Sequence, residues 1–102
     1  MGVIRITSDA ARAYATRERV IGKGIIVLGK ASEKISELDK ETIEKCGDVA
    51  AELVSCAPGY SGRLMHITAR LFWNLAGVEE KKAAYRTIEE LEKKLEAIEK
   101  TL

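Results

Sequence analysis

The fold is indicated most clearly by residues 84–102, which read AYRTIEELEKKLEAIEKTL. Apolar side chains recur there in alternating steps of four and three residues, at Ala84, Ile88, Leu91, Leu95, Ile98 and Leu102. We call these six positions the C-terminal seam, because this spacing returns one face of a helix to the same neighbour, as in a coiled coil. The pattern predicts a coiled-coil-like helix over about 78–102 that packs on another helix.

The C-terminal seam also predicts self-association. A chain of 102 residues buries only about two-thirds of its unfolded surface, so contact with a second copy would add stability. We therefore expect a homo-oligomer, with a dimer as the first expectation. Packing of the seam within one chain is the open alternative, because the repeat covers only about two and a half heptads. A helix continuous through Gly77 would make dimerisation nearly obligatory.

The two middle segments predict further helices. Apolar or small side chains recur every three or four residues over 40–56, and Asp39 precedes them as a candidate cap. The Ala-Pro-Gly sequence at 57–59 ends this helix, because proline cannot donate a backbone hydrogen bond and glycine relaxes the chain. A third helix is then expected over 61–76, with Gly77 as its C-terminal stop.

The first segment, over about 8–38, supports two interpretations. Its apolar positions continue in helical phase, but Gly22, Gly24 and Gly29 each cost a helix about 1 kcal/mol relative to alanine. The β-branched runs at 3–6 and 25–28 suit short strands instead. We predict one all-α domain over 1–102, an antiparallel bundle of three to four helices. An α+β fold with short strands near 3–6 and 25–28 is the alternative.

Composition excludes several classes of protein. The chain has 17 basic and 16 acidic residues, so its net charge of +1 does not favour a strongly basic nucleic-acid condenser. No run of about 18 apolar residues is present, so we expect no membrane span. The first residues lack the apolar core of a signal peptide, and two cysteines suit a reducing compartment, so we expect a cytoplasmic protein. Glutamine is absent and asparagine occurs once beside abundant Glu and Lys, a trend of thermophile proteins.

The third predicted helix carries an unusual polar stripe. Apolar side chains fill a wide arc of this helix, so we expect it to be central in the bundle. The remaining face holds five residues and no acid: Arg63, His66, Arg70, Trp73 and Asn74. We call them the cationic stripe. Two guanidiniums, an imidazole and an indole suit an acidic partner or a phosphate. The structural alternative is that the arginines reach nearby glutamates and Trp73 completes the edge of the core.

The residues offer no catalytic or metal-binding set. His66 is the single histidine, and no carboxylate is placed in the sequence to orient a pair with Cys46 or Cys56. One histidine and two cysteines ten residues apart match no metal-ligand spacing. We therefore expect neither an enzyme nor a bound metal or cofactor.

The function predicted from these features is a non-enzymatic interaction or scaffolding module. It would self-associate through the C-terminal seam and bind a protein partner through the cationic stripe. The alternative is a small nucleic-acid-binding protein. A second basic cluster on the first segment, together with the arginines of the cationic stripe, would then contact phosphates. That cluster consists of Arg12, Arg17, Arg19 and Lys23.

Overall fold

The computed structural model describes residues 8–56, 60–81 and 87–102, with side chains described for 15–54, 63, 65–81 and 87–102. Within these ranges the chain forms helices and no strands. They are α1 (Ser8–Glu33), α2 (Lys40–Cys56), α3 (Tyr60–Ala76) and α4 (Ile88–Thr101), with a short 3-10 helix (Ile35–Glu37) after α1. The all-α prediction is confirmed. The alternative strand at 25–28 is wrong because these residues lie inside α1, and the one at 3–6 falls outside the described residues.

Packing explains why α1 is helical despite its glycines. A Cβ placed on Gly24 would lie 2.6 Å from Cδ1 of Leu53 on α2, so the missing side chain lets the two helices approach closely. Val20, Val27 and Leu28 share this side of α1 and are buried. Burial of that apolar side outweighs the low helix propensity of glycine, because tertiary packing supplies most of the stability of helices in proteins.

Helix α2 is the centre of the bundle and contacts each of the other three helices. Helices α1 and α3 both pack against α2, with Gly24 of α1 close to Leu53 and Trp73 of α3 close to Gly47. Helix α4 runs parallel to α1. Arg19 pairs with Glu92, Lys23 pairs with Glu96, and Lys34 donates to the backbone carbonyl of Leu102. Residues later in α1 therefore contact residues later in α4, as two parallel helices require.

The end of α3 is the expected one, whereas the start of α4 is not. Helix α3 ends at Ala76, and Gly77 follows with a φ of 74°, the left-handed conformation that favours glycine. Residues 78–81 are not helical, and α4 begins at Ile88 instead of near 78. A capping box fixes that start, since the Thr87 hydroxyl accepts from the Glu90 backbone N–H and the Glu90 carboxylate accepts from the Thr87 N–H. The last two helices are therefore separate.

The C-terminal seam lies inside the chain, which corrects its assignment to an oligomer interface. Leu91, Leu95 and Ile98 are buried in the core with residues of α1 and α2. Ile88 and Leu102 pack against the same core and are partly buried. Ala84 falls outside the described residues. The physical reason is the position of α4, whose apolar side faces α1 and α2 and is already covered by them.

Candidate interaction surface

The five residues of the cationic stripe on α3 differ in their exposure to solvent. Arg63, His66, Arg70 and Asn74 are exposed, as predicted for a binding surface. Trp73 is only 3% exposed, and its assignment to a partner site is corrected. Its indole packs over Gly47 of α2, where no side chain occupies the space. This outcome matches the structural alternative for the tryptophan.

The chain after α3 supplies a carboxylate to the stripe. Glu80 Oε2 lies 3.5 Å from Nε of Arg70, and its Oε1 lies 3.9 Å from Nε2 of His66. Lys81 then donates to Glu44 at 2.6 Å and to Asp48 at 3.2 Å, both on α2. The hydrogen bond to Glu44 raises the pKa of Lys81. Residues 78–81 thus run back beside α3 and are held by ion pairs at both Glu80 and Lys81.

The basic cluster of α1 is directed largely toward α4. Arg19 forms an ion pair with Glu92, and its hydrogen bond lowers the pKa of that carboxyl. Lys23 lies 3.7 Å from Glu96 and 4.0 Å from Glu99. Arg17 is exposed, and the side chain of Arg12 falls outside the described residues. Arg19 and Lys23, which the nucleic-acid alternative assigns to phosphate contacts, both face carboxylates of the same chain.

A groove whose described lining residues carry no charge opens between the end of α1 and α3. We call it the α1–α3 groove. Its volume is about 390 Å³, and it is lined by Ser32, Ile35, Thr68, Leu71, Phe72, Asn74 and Leu75. Among these, the Ser32 hydroxyl donates to the backbone carbonyl of Leu28 at 2.9 Å. The groove therefore presents mainly aliphatic and aromatic surface.

Four large aliphatic side chains on the two helices that form the α1–α3 groove remain about half exposed. On α3 they are Ile67, Leu71 and Leu75, which are 56%, 57% and 57% exposed. On α1, Ile25 is 48% exposed and lies two turns before Ser32 on the same side of the helix. We call these four residues the apolar face. The wide apolar arc of α3 predicts a central position in the bundle, but α2 covers only part of that arc.

Thiol chemistry and metal binding find little support in the described part of the chain. Cys46 is buried, and desolvation raises the pKa of its thiol to about 11, opposite to the shift that a nucleophilic thiolate requires. The Cys56 side chain falls outside the described residues. No group of three or more His, Cys, Asp or Glu side chains among the described residues is arranged to hold a metal ion. None of the described helices has the length and apolar content of a membrane span.

These features define a small helical bundle protein with an uncovered apolar face. A protein of the thermophilic archaeon Archaeoglobus fulgidus, described as "Uncharacterized protein", is 52% identical to this chain over 102 residues. The similarity covers 100% of this chain and 94% of the relative. The chain therefore belongs to the same family as that archaeal protein. No family model matches the chain, and no solved structure matches it.

Proposed function

We propose that the chain is a non-enzymatic interaction module that binds a protein partner through the apolar face around the α1–α3 groove. The observation that carries this proposal is the half exposure of Ile25, Ile67, Leu71 and Leu75 on the two helices that form a groove whose described lining is uncharged. Contiguous exposed apolar surface on a small protein is typical of interaction sites. Covering each of these side chains would contribute roughly 1 kcal/mol, about half of what full burial gives.

Part of the cationic stripe supplies a polar rim for this surface. Arg70 and Asn74 line a hollow of about 220 Å³ together with Ile67 and Leu71. Protein interfaces have this composition, with an apolar centre, a polar rim and frequent arginine. The predicted role of the stripe thus becomes that of an edge, and the centre of the proposed site moves to the aliphatic residues.

A small-molecule site is less well supported by the same groove. Its volume is within the range of ligand pockets, but such pockets also aim several polar groups at the ligand. Here the Ser32 hydroxyl donates to the backbone carbonyl of Leu28, and none of the lining residues that the structure describes is charged. The nucleic-acid alternative loses support because Arg19 and Lys23 face α4. A cytoplasmic location is part of the proposal and is supported by the buried free thiol of Cys46.

Site-specific photo-crosslinking in cells tests the proposed function. A photoreactive phenylalanine analogue replaces Leu71 in the apolar face, and in a control it replaces Lys93, which is exposed on α4. Irradiation of the Leu71 variant is expected to give a discrete protein adduct that mass spectrometry maps to residue 71. The Lys93 variant is expected to give none. Absence of any adduct specific to position 71 would contradict the proposed function.

A further inference from the structure

We propose that the partner covering the apolar face is a second copy of this chain, which makes the protein a two-fold symmetric dimer built on α3. This inference rests on the proposed function and names its partner. The dimer predicted from the sequence is retained, but its interface moves from the C-terminal seam, which is buried within the chain, to the side of the bundle formed by α1 and α3.

The lack of charge in the described lining of the α1–α3 groove restricts the kind of surface that can bind there. Among the side chains that the structure describes, no acidic or basic one lines the α1–α3 groove, and Arg70 approaches only at its edge. A partner that brings charged groups into the groove would leave them desolvated and unpaired, which is costly. The complementary surface must therefore itself be uncharged and apolar, as the apolar face of this chain is.

The chain carries both a ridge and the groove that the ridge could fill. Ile67, Leu71 and Leu75 are spaced by four residues, so they form one row along α3, and a helix that docks in a groove presents such rows. The same row forms one wall of the α1–α3 groove through Leu71 and Leu75. Two-fold symmetry requires a surface that complements itself, and a ridge beside a groove meets this condition.

The available area suits a dimer of modest size. Four half-exposed aliphatic side chains present roughly 400 Å² of apolar surface on each copy, within the range for a functional patch. Since interfaces are about 60% apolar, the matching contact buries roughly 1,300 Å² in total, at the lower end of the range for specific protein interfaces.

Sedimentation equilibrium of the purified full chain tests the inference. The chain at about 100 µM is expected to have the mass of a dimer. Leu71→Glu is expected to raise the dissociation constant at least about 100-fold, because symmetry places the added charge in the interface twice. The matched control is Ile26→Glu. Ile26 is also exposed, but it follows Lys23 by three residues and Arg19 by seven, on the side of α1 that faces α4, so the dimer should persist.

The outcomes separate this inference from the proposed function. Leu75→Gln serves as a second interface variant if Leu71→Glu loses helicity by circular dichroism. A chain that stays monomeric at 100 µM, or a dimer that both interface variants leave intact, overturns the inference. If the chain is monomeric while the Leu71 probe captures a different protein in cells, the proposed function stands and the second copy is excluded. If neither a dimer nor an adduct forms, both proposals fail.

Discussion

The indole N–H of Trp73 donates to Oδ1 of Asp48 at 3.0 Å and joins the last turn of α3 to α2. Asp48 also accepts a hydrogen bond from Lys81, so one carboxylate holds both the core tryptophan and the chain that follows α3. Gly47 makes the arrangement possible, because a Cβ there would lie 2.5 Å from Cδ1 of Trp73. Trp73, which the sequence assigns to a binding surface, therefore has a structural role in the core.

Asp48→Ala should destabilise the protein by about 1–3 kcal/mol, because it leaves the buried indole N–H without its acceptor. Asp48→Asn should cost less, since the amide oxygen can still accept that hydrogen bond. Trp73 is the single tryptophan, so its fluorescence during urea unfolding reports both free energies. Equal losses in the two variants would show that the ion pair to Lys81, and not the indole hydrogen bond, dominates.

Gly47→Ala should lower stability by about 1–3 kcal/mol, even though alanine is the better helix former. The added methyl group would displace the rigid indole of Trp73. Gly29→Ala is the matched control, because it also lies in a helix and nothing lies within 4 Å of its added Cβ. That variant should gain about 0.5–1 kcal/mol. Thermal unfolding followed by circular dichroism measures both changes, and a stabilised Gly47→Ala protein would contradict the close packing.

Lys94→Ala should destabilise the protein by about 2–3 kcal/mol. Lys94 donates to Glu52 at 2.9 Å, and Glu52 is only 4% exposed, so its carboxylate would lose a charged partner in the core. Lys93→Ala removes an exposed neighbour of the same type and should change stability by less than about 0.5 kcal/mol. Adding Glu52→Gln to Lys94→Ala should recover part of the loss. Denaturant unfolding measures the free energy of unfolding of these three variants and of the Glu52→Gln single variant. Equal losses for Lys93→Ala and Lys94→Ala would rule out a stabilising role for the Lys94–Glu52 ion pair.

Cys46 should resist thiol reagents in the folded protein. Burial raises the pKa of this thiol from 9.0 to about 11, so the folded chain holds its proton where the unfolded chain releases it. Stability from this group is complete below pH 9 and declines as the pH rises from 9 toward 11. Labelling with a chromogenic disulfide reagent, in a Cys56→Ser background, is expected to be slow at pH 8 and fast in denaturant. Rapid labelling of the folded protein would show that Cys46 is accessible.

The fold could be predicted from the sequence further than the site could. The bounds of α2 and the stop at Gly77 follow from local chemistry, since caps, proline and glycine act within a few residues. The start of α4 does not follow in the same way, because the spacing that includes Ala84 continues in phase before the capping box at Thr87. Periodicity shows which side of a helix is apolar, but it does not show where the helix begins.

The candidate interaction surface lies on a different side of α3 from the one that the sequence predicts. The periodicity identifies Trp73 and Leu71 as residues on opposite sides of α3, and the structure reverses the exposure expected of each. Their hydropathy gives no indication of this result. The indole is buried because Gly47 leaves space on α2, whereas Leu71 is exposed because α1 stands apart from α3.

The sequence by itself determined that this chain is helical and which residues share each helical side, because these properties depend on neighbours within four positions. Only the tertiary structure decided that the C-terminal seam closes the chain's own core and that the side of α3 near α1 stays uncovered. Which helix covers an apolar side depends on the paths of the connections and on close approaches such as Gly24 to Leu53. These contacts join residues far apart in the chain, and local periodicity carries no information about them.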